Sequence, residues 1–274
     1  MEFTEEQIER YSRHILLPEV GGKGQAKLLS SSAFVVGAGG LGSPALLYLA
    51  AAGVGRLGVA DADRVELSNL QRQIMHGTSD LGRSKVLSAK EAISELNPDC
   101  EIETFDVRLE AENIGDILSG YDAVLDGSDN FPTRFLVADC CWFEHIPLIT
   151  AAVLRFEGQL MTVLRAEGNP CYRCFVPEPP PPGFIPSCQE AGVLGAVVGV
   201  MGTLQAAETL KILSGLDSAF IRKFIIYDAL EGDFRTLKRR PRPDCPLCGA
   251  DPTITDLVQY DVNCEVNTPE GVGE

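Results

Sequence analysis

The sequence predicts an α/β fold whose doubly wound sheet is parallel in its N-terminal half and carries antiparallel strands in its C-terminal half. Three observations predict it. Strand-like and helix-like segments alternate from residue 33 to residue 151, the pattern of parallel strands joined by crossover helices. Within that stretch the apolar run Ser32-Ala-Phe-Val-Val opens into Gly37-Ala-Gly39-Gly40-Leu-Gly42, the strand–turn–helix signature of a Rossmann-like unit. Later, two apolar runs at 223–227 and 234–237 stand close enough to pair as an antiparallel hairpin.

The elements follow in order. Thr4-Glu-Glu-Gln7 is a capping box, and Ile8, Tyr11 and Ile15 make a narrow apolar stripe, so an N-terminal helix carries Arg10 and Arg13. Strands are expected at 33–36, 56–60, 102–107, 121–125 and 147–151, with helices at 41–52, 84–96 and 133–144. A strand at 159–164, a long helix from about 189 to 213 and the hairpin complete the list. Residues 191–207 are uncharged, but a 17-residue helix spans only about 25 Å, short of a hydrocarbon core of about 30 Å. Glycines, Thr203 and Gln205 in this stretch suit a buried helix.

With 274 residues, 45% of them hydrophobic, the chain is large enough for one sizeable domain. No internal repeat or long linker divides it, so residues 1–250 read as a single domain and 251–274 as an acidic, aperiodic extension. The net charge of −16 argues against nucleic acid as a partner. Arg235 to Arg242, with Lys238, Arg239 and Arg240, is a local cationic stretch that reads as a solvated edge, with a surface for an acidic protein partner as the alternative. Neither an export signal nor a membrane span stands out, and the expected location is cytoplasmic.

The glycine turn is the first part of a candidate anion site. Its first glycine makes the turn, the second admits a phosphate to the backbone, and the third lets helix and strand pack closely. The helix that follows aims free N–H groups and its positive dipole end at the anion. Asp61 follows Gly42 by 19 residues and closes the next strand, where a carboxylate accepts hydrogen bonds from ribose hydroxyls. An NAD enzyme shares these features. The divergence lies in Asn69, Arg72 and Gln73, in Lys85 at the start of the next helix, and in Asp126-Gly-Ser-Asp129-Asn130 after a later strand. Attack on an α-phosphorus by another anion needs several cations and a metal, and Asp129 suits Mg²⁺. Each of these charges alone would read as solvated surface, as Asp63 and Glu66 do; together they point to ATP.

Nine cysteines without an export signal argue for metal or reactive chemistry rather than a disulfide framework. Cys171-x-x-Cys174 and Cys245-x-x-Cys248, with 70 residues between them, have the spacing of a closed, structural four-cysteine zinc site, Zn²⁺ clipping distant segments together. A redox Cys-x-x-Cys is the rival reading. Cys188 lies in Ser187-Cys-Gln-Glu190, a capping-box pattern that would place its thiol at a helix start and favour thiolate. From the residues alone it reads either as a reactive thiolate or as a small residue near a cap. Cys100, Cys140 and Cys141 read as packing residues.

Taken together, Arg10-Tyr-Ser-Arg13, the glycine turn, Asp61 through Gln73, Lys85, Asp126 through Asn130 and the cysteine pairs resemble the ThiF/MoeB/HesA family of E1-like adenylyltransferases, over roughly residues 7 to 249. The resemblance implies a homodimer with two ATP sites. In it Asp61 would bind ribose, Asn69, Arg72 and Lys85 would contact phosphates, Asp129 would bind Mg²⁺, and Arg13 would reach into the partner subunit's site. The implied reaction is adenylation of the C-terminal Gly-Gly carboxylate of a small ubiquitin-like sulfur carrier, with sulfur then supplied by a donor protein or sulfide. His14 departs from the Gln that relatives often carry. Three other readings stand beside this one: an NAD-dependent oxidoreductase, a superfamily enzyme acting on a tRNA nucleoside, and a zinc-clipped docking subunit without turnover.

Overall fold

The computed structural model describes residues 3–180 and 191–260. In chain order its elements are α1 (Glu5–Ile15), α2 (Gly21–Ser30), β1 (Ser32–Val36), α3 (Gly42–Ala51), β2 (Arg56–Ala60), α4 (Lys85–Leu96), β3 (Glu101–Phe105), α5 (Ile114–Leu118), β4 (Ala123–Asp126), α6 (Phe131–Phe143), β5 (Leu148–Leu154), β6 (Glu157–Val163), α7 (Gly195–Ser214), β7 (Lys223–Asp228) and β8 (Asp233–Lys238). The strands form one sheet in the order β3-β2-β1-β4-β5-β6-β7-β8. Pairing is parallel from β3 through β5 and antiparallel from β5 through β8, as the alternation and the late hairpin predict. Strand order reverses at β1, whose neighbours are β2 and β4.

Register decides where the site lies. Val36 is level with Ala60 on one side and with Asp126 on the other. The loops that leave these three strands therefore begin side by side, with Gly37, Asp61 and Gly127 at one end of the sheet. In open α/β sheets that end, beside the reversal of strand order, is the ligand crevice.

Both faces are covered. One core cluster joins β1 and β2 to Leu46, Leu49, Val86, Ile93 and Met201 from α3, α4 and α7. The other packs Ile114, Leu118, Phe135 and Trp142 from α5 and α6, together with cysteines of both Cys-x-x-Cys hooks. The N-terminal capping box forms as read, with Thr4 Oγ1 accepting from Gln7 N and Gln7 Oε1 from Thr4 N. Cys100, Cys140 and Cys141 are buried, and burial pushes the thiols of Cys100 and Cys140 up to about 12. They are packing residues.

Several expectations need correction. The long helix does not run through residues 191–194: Gly192 has φ +77° and Val193 bridges to Arg155, so α7 starts at Gly195. It also runs further, to Ser214, and its 20 residues are long and apolar enough by length and composition to cross a membrane. Its packing against α2, α3 and β5 makes it a core helix instead. It buries Glu208 and Gln205, and the Gln205 amide donates to the carbonyls of both Asp126 and Ile149 at 2.8 Å.

β5 and β6 are a hairpin, paired from Leu148↔Val163 to Leu154↔Glu157, longer than either predicted strand. Two helices lie outside the sequence expectations. α2 opens with three glycines in four residues, Gly21-Gly-Lys-Gly24, and Gly24 lets the helix press against Val20. α5 has only five residues. Arg239 is no surface charge: it is 4% exposed and donates to the carbonyls of Thr162, Ile221, Pro170 and Cys171. Beyond the second hook, Ile254, Leu257 and Tyr260 pack on the α6 core. Tyr260 accepts from Arg173, whose guanidinium holds Asp139 of α6 at 2.8 and 2.6 Å in a buried pair.

The close approach of α3 to β1 rests on Gly42. A Cβ there would lie 1.8 Å from the Gly37 carbonyl oxygen, a backbone atom that cannot step aside. Gly42→Ala is expected to lower stability by about 3 kcal/mol, read as a fall in the urea midpoint; an unchanged midpoint would show that the turn tolerates a wider spacing.

Candidate functional site

The glycine turn is held open to one side. Gly37 has φ +88°, a conformation that only glycine adopts without strain. Ala38 is fully buried, its N–H donating to Asp61 Oδ2 at 2.9 Å. Beside Gly39, Gln73 Nε2 alone among the described residues comes within 4 Å of where a Cβ would stand. The backbone N–H groups of Gly39, Gly40 and Leu41 meet no acceptor among the described residues. Three adjacent free donors at the start of α3 suit an anion.

Asp61 leaves β2 with both carboxylate oxygens engaged, Oδ2 by Ala38 N and Oδ1 by Asp63 N at 2.9 Å. Burial raises its pKa, and the nearby Lys85 ammonium opposes the rise. Lys85, first residue of α4 and 5% exposed, donates to Asp63 Oδ2 at 2.9 Å. Its backbone N–H binds the Asp63 carbonyl at 3.1 Å. Lys85 therefore faces the same crevice as Asp61 and the turn.

The segment after β2 lines the crevice. Asn69 is buried in a short 3-10 turn, Leu67–Asn69. Arg72 Nη1 donates to the Ser68 carbonyl at 2.9 Å, and its Cγ lies 3.5 Å from the Cβ position of Gly40. Gln73 is 4% exposed, and its buried Oε1 has no hydrogen-bond partner among the described residues. Gly195, at the start of α7, packs so tightly on this segment that a Cβ would stand 2.3 Å from the Gln71 carbonyl.

The third loop abuts the turn through Gly127, whose carbonyl lies 3.3 Å from the Cβ position of Gly37. Buried Asp126 braces it, accepting from Ser128 N at 3.0 Å and from Thr150 Oγ1 at 2.7 Å. Arg134 reaches back from α6 to the Ser128 carbonyl at 2.7 Å. This bracing leaves Asp129 exposed at the tip. Asn130 Oδ1 caps α6 by accepting from Thr133 N at 2.9 Å.

Two N-terminal arginines are not drawn into this crevice. Arg10 donates to the Leu96 carbonyl and pairs with Glu6, at the end of α4 opposite Lys85, about 17 Å along the axis. It is a helix-surface residue. The Arg13 side chain is exposed and makes no hydrogen bond or ion pair among the described residues. Cys188 and its capping box lie outside the described residues.

Sequence reasoning does not single out His76, Ser88 or Arg134. His76 is buried, with Nε2 2.9 Å from the Ala38 carbonyl and Nδ1 2.8 Å from Ser88 Oγ. Burial lowers its pKa. It sits between two short 3-10 turns where no periodicity flags a core position, so the sequence holds no signal for it.

The four hook cysteines converge. Sγ–Sγ distances are 3.8 Å for Cys171–Cys174, 3.4 Å for Cys171–Cys245 and 3.3 Å for Cys174–Cys248, and all four sulfurs lie within 4.8 Å of one another. Thiolates at about 2.3 Å from a tetrahedral zinc would be about 3.8 Å apart, so the set fits that ion with little adjustment. Arg242 N–H points at Cys174 Sγ at 3.4 Å, as thiolates near a metal require of their surroundings.

Comparison with known proteins shows the family. The ThiF family model matches residues 11–247. The sulfur carrier protein adenylyltransferase of Thermus thermophilus is 49% identical over 96% of this chain and 99% of its own length. The SAMP-activating enzyme E1 of Haloferax volcanii is 49% identical over 89% of each chain. The adenylyltransferase and sulfurtransferase MOCS3 of Bos taurus is 50% identical over 95% of this chain, which spans 57% of its length. Among solved structures, Escherichia coli MccB superposes with a TM-score of 0.78 at 21% identity, over 90% of this chain and 75% of that one; it shares the fold. The chain belongs to the ThiF family of E1-like proteins.

One consequence of the cysteine geometry is measurable. Wild-type protein is expected to carry one zinc per chain by elemental mass spectrometry. Cys245→Ser should lose most of that metal and melt several degrees lower, whereas full zinc occupancy in the variant would remove Cys245 from the ligand set.

Proposed function

We propose that this chain is an ATP-dependent adenylyltransferase acting on the C-terminal Gly-Gly carboxylate of a small ubiquitin-like sulfur carrier. The observation that carries the reading is the convergence, beside the ends of β1 and β2, of three backbone N–H groups unengaged among the described residues, the Asp61 carboxylate and the Lys85 ammonium. Relatives nearly half identical over almost the whole chain are named adenylyltransferases or activating enzymes. That favours nucleotidyl transfer over hydride transfer to NAD, over a tRNA nucleoside as acceptor and over a docking subunit without turnover.

Asp61 accepts from the ribose, and the turn's N–H groups with Asn69, Arg72, Gln73 and Lys85 receive the phosphates. Asp129, exposed at the tip of a braced loop, would hold Mg²⁺, whose contribution when bound is charge neutralisation on the phosphate oxygens. A carrier carboxylate oxygen attacks the α-phosphorus, the bond to the bridging oxygen breaks, and pyrophosphate leaves. The carboxylate is already ionised and needs no base, so the protein's task is positioning and offsetting repulsion between anions.

Lys85 is suited to that task because its present partner, Asp63, is 63% exposed at the side chain and can yield to a phosphate. Arg13, free on α1 among the described residues, would complete the site of a second copy in a homodimer. The acyl adenylate is then open to sulfur from a donor protein or sulfide, directly or by way of Cys188. The four hook cysteines would hold a structural zinc that clips the segments around residues 171–174 and 245–248 together.

Arg72→Ala and Asp129→Ala are each expected to reduce carrier-dependent ATP–pyrophosphate exchange at least a hundredfold, with circular dichroism unchanged. Undiminished exchange in both variants would remove these residues from the reaction.

A further inference from the structure

The Ala38–Gly39 peptide lies at the centre of the glycine turn, and its orientation decides what the turn offers an anion. A trans peptide points its C=O and its N–H in opposite directions. With the Ala38 carbonyl turned inward, the Gly39 N–H faces outward, on the side of the turn where Gln73 Nε2 stands 3.6 Å from the Gly39 Cβ position. Were this peptide to flip, it would present a carbonyl oxygen to the same place and repel a phosphate.

The inward carbonyl is held by His76 Nε2 at 2.9 Å. A carbonyl only accepts, so Nε2 carries the ring proton. Burial disfavours the charged ring; in the neutral tautomer with the proton on Nε2, Nδ1 accepts from Ser88 Oγ at 2.8 Å. Ser88 is buried on α4, one turn beyond Lys85. On the other side, Asp61 holds the Ala38 N–H, Asp63 N–H holds Asp61, and Lys85 holds Asp63. The contacts close a circuit in which α4 ties both edges of the turn to the base of Lys85. Ser43 Oγ, 3.4 Å from the Ala38 carbonyl, is a distant second donor.

We propose that His76 is a positioning residue for the nucleotide, fixing through its Nε2–H the peptide orientation that aims the Gly39 N–H at a phosphate. It touches neither substrate nor reacting atoms. The proposal rests on the reading of the turn as an ATP site and adds to it a residue whose effect runs through the backbone.

Two near-isosteres separate this role from simple packing. The amide nitrogen of glutamine takes the place of Nε2 and can still donate to the Ala38 carbonyl. The amide of asparagine takes the place of Nδ1, reaching Ser88 but not Ala38. Mg·ATP binding to the full chain is measured by calorimetry, and ATP–pyrophosphate exchange by its KM and kcat. His76→Asn is expected to weaken ATP binding about tenfold, the size of one lost hydrogen bond, with the loss in KM for ATP and kcat at saturating ATP nearly unchanged. His76→Gln should stay within about threefold of wild type.

Ser88→Ala, a milder change that removes only the hydroxyl fixing the ring, should raise KM for ATP in the same sense, and it carries the test if the His76 variants do not fold. Wild-type ATP affinity in His76→Asn, equal losses in the Asn and Gln variants, or wild-type KM in Ser88→Ala would each overturn the proposal while leaving the ATP site standing. Absence of ATP binding by the wild-type protein would overturn the reading of the turn itself, and this inference with it.

Discussion

Backbone pressed directly against backbone around one turn is the constraint on which the rest of the molecule depends. Gly42 lies on the Gly37 carbonyl, Gly127 lies near the Val36 carbonyl, and Gly202 of α7 lies on the Leu41 carbonyl, each too close for any side chain. These contacts seat α3 against β1, β4 beside β1, and α7 across the start of α3. A protein interior packs to near-crystalline density, so spacings this short leave no slack. The crevice is a by-product of this packing, since three strands that end level with one another must send out their loops together.

Around that frame, polar groups divide into two kinds. Those beneath the turn are paired: Asp126 with Ser128 and Thr150, His76 with Ala38 and Ser88, Gln205 with two carbonyls. Those facing the crevice are left partly open among the described residues: three backbone N–H groups, Gln73 Oε1, and a lysine whose partner is mostly exposed. Leaving a buried polar atom unpaired costs about 1–3 kcal/mol. At the crevice, Gln73 Oε1 and the turn's N–H groups are an acceptor and donors that a bound molecule can engage. The same division holds at the cysteine hooks, where four sulfurs face one another and their surroundings supply an N–H donor.

Much of this is legible in the sequence, for definite reasons. The glycine turn can be read because close backbone approach admits only one residue type. Asp61 and Lys85 can be read because each stands at the end or start of a periodic element, and the hooks because two Cys-x-x-Cys pairs have few other uses. What cannot be read depends on contacts between segments distant in sequence. His76 serves a carbonyl 38 residues away, in a stretch with no period. Arg239 stands in a run of charges, and only tertiary structure shows that its guanidinium is enclosed by four carbonyls. The start of α7 escapes a sequence reading because an apolar run hides the left-handed Gly192, and α2 escapes it because its glycines mimic a loop.

The buried amide of Gln205 has a mechanical consequence. With its donor nitrogen committed to Asp126 at the end of β4 and to Ile149 in β5, α7 cannot slide or roll on the sheet without forfeiting two bonds at once. The helix behaves as a fixed axle whose hub is the floor of the Asp129 loop. Displacing it would also disturb the end of β4, so the helix and the floor of the third crevice loop are mechanically coupled.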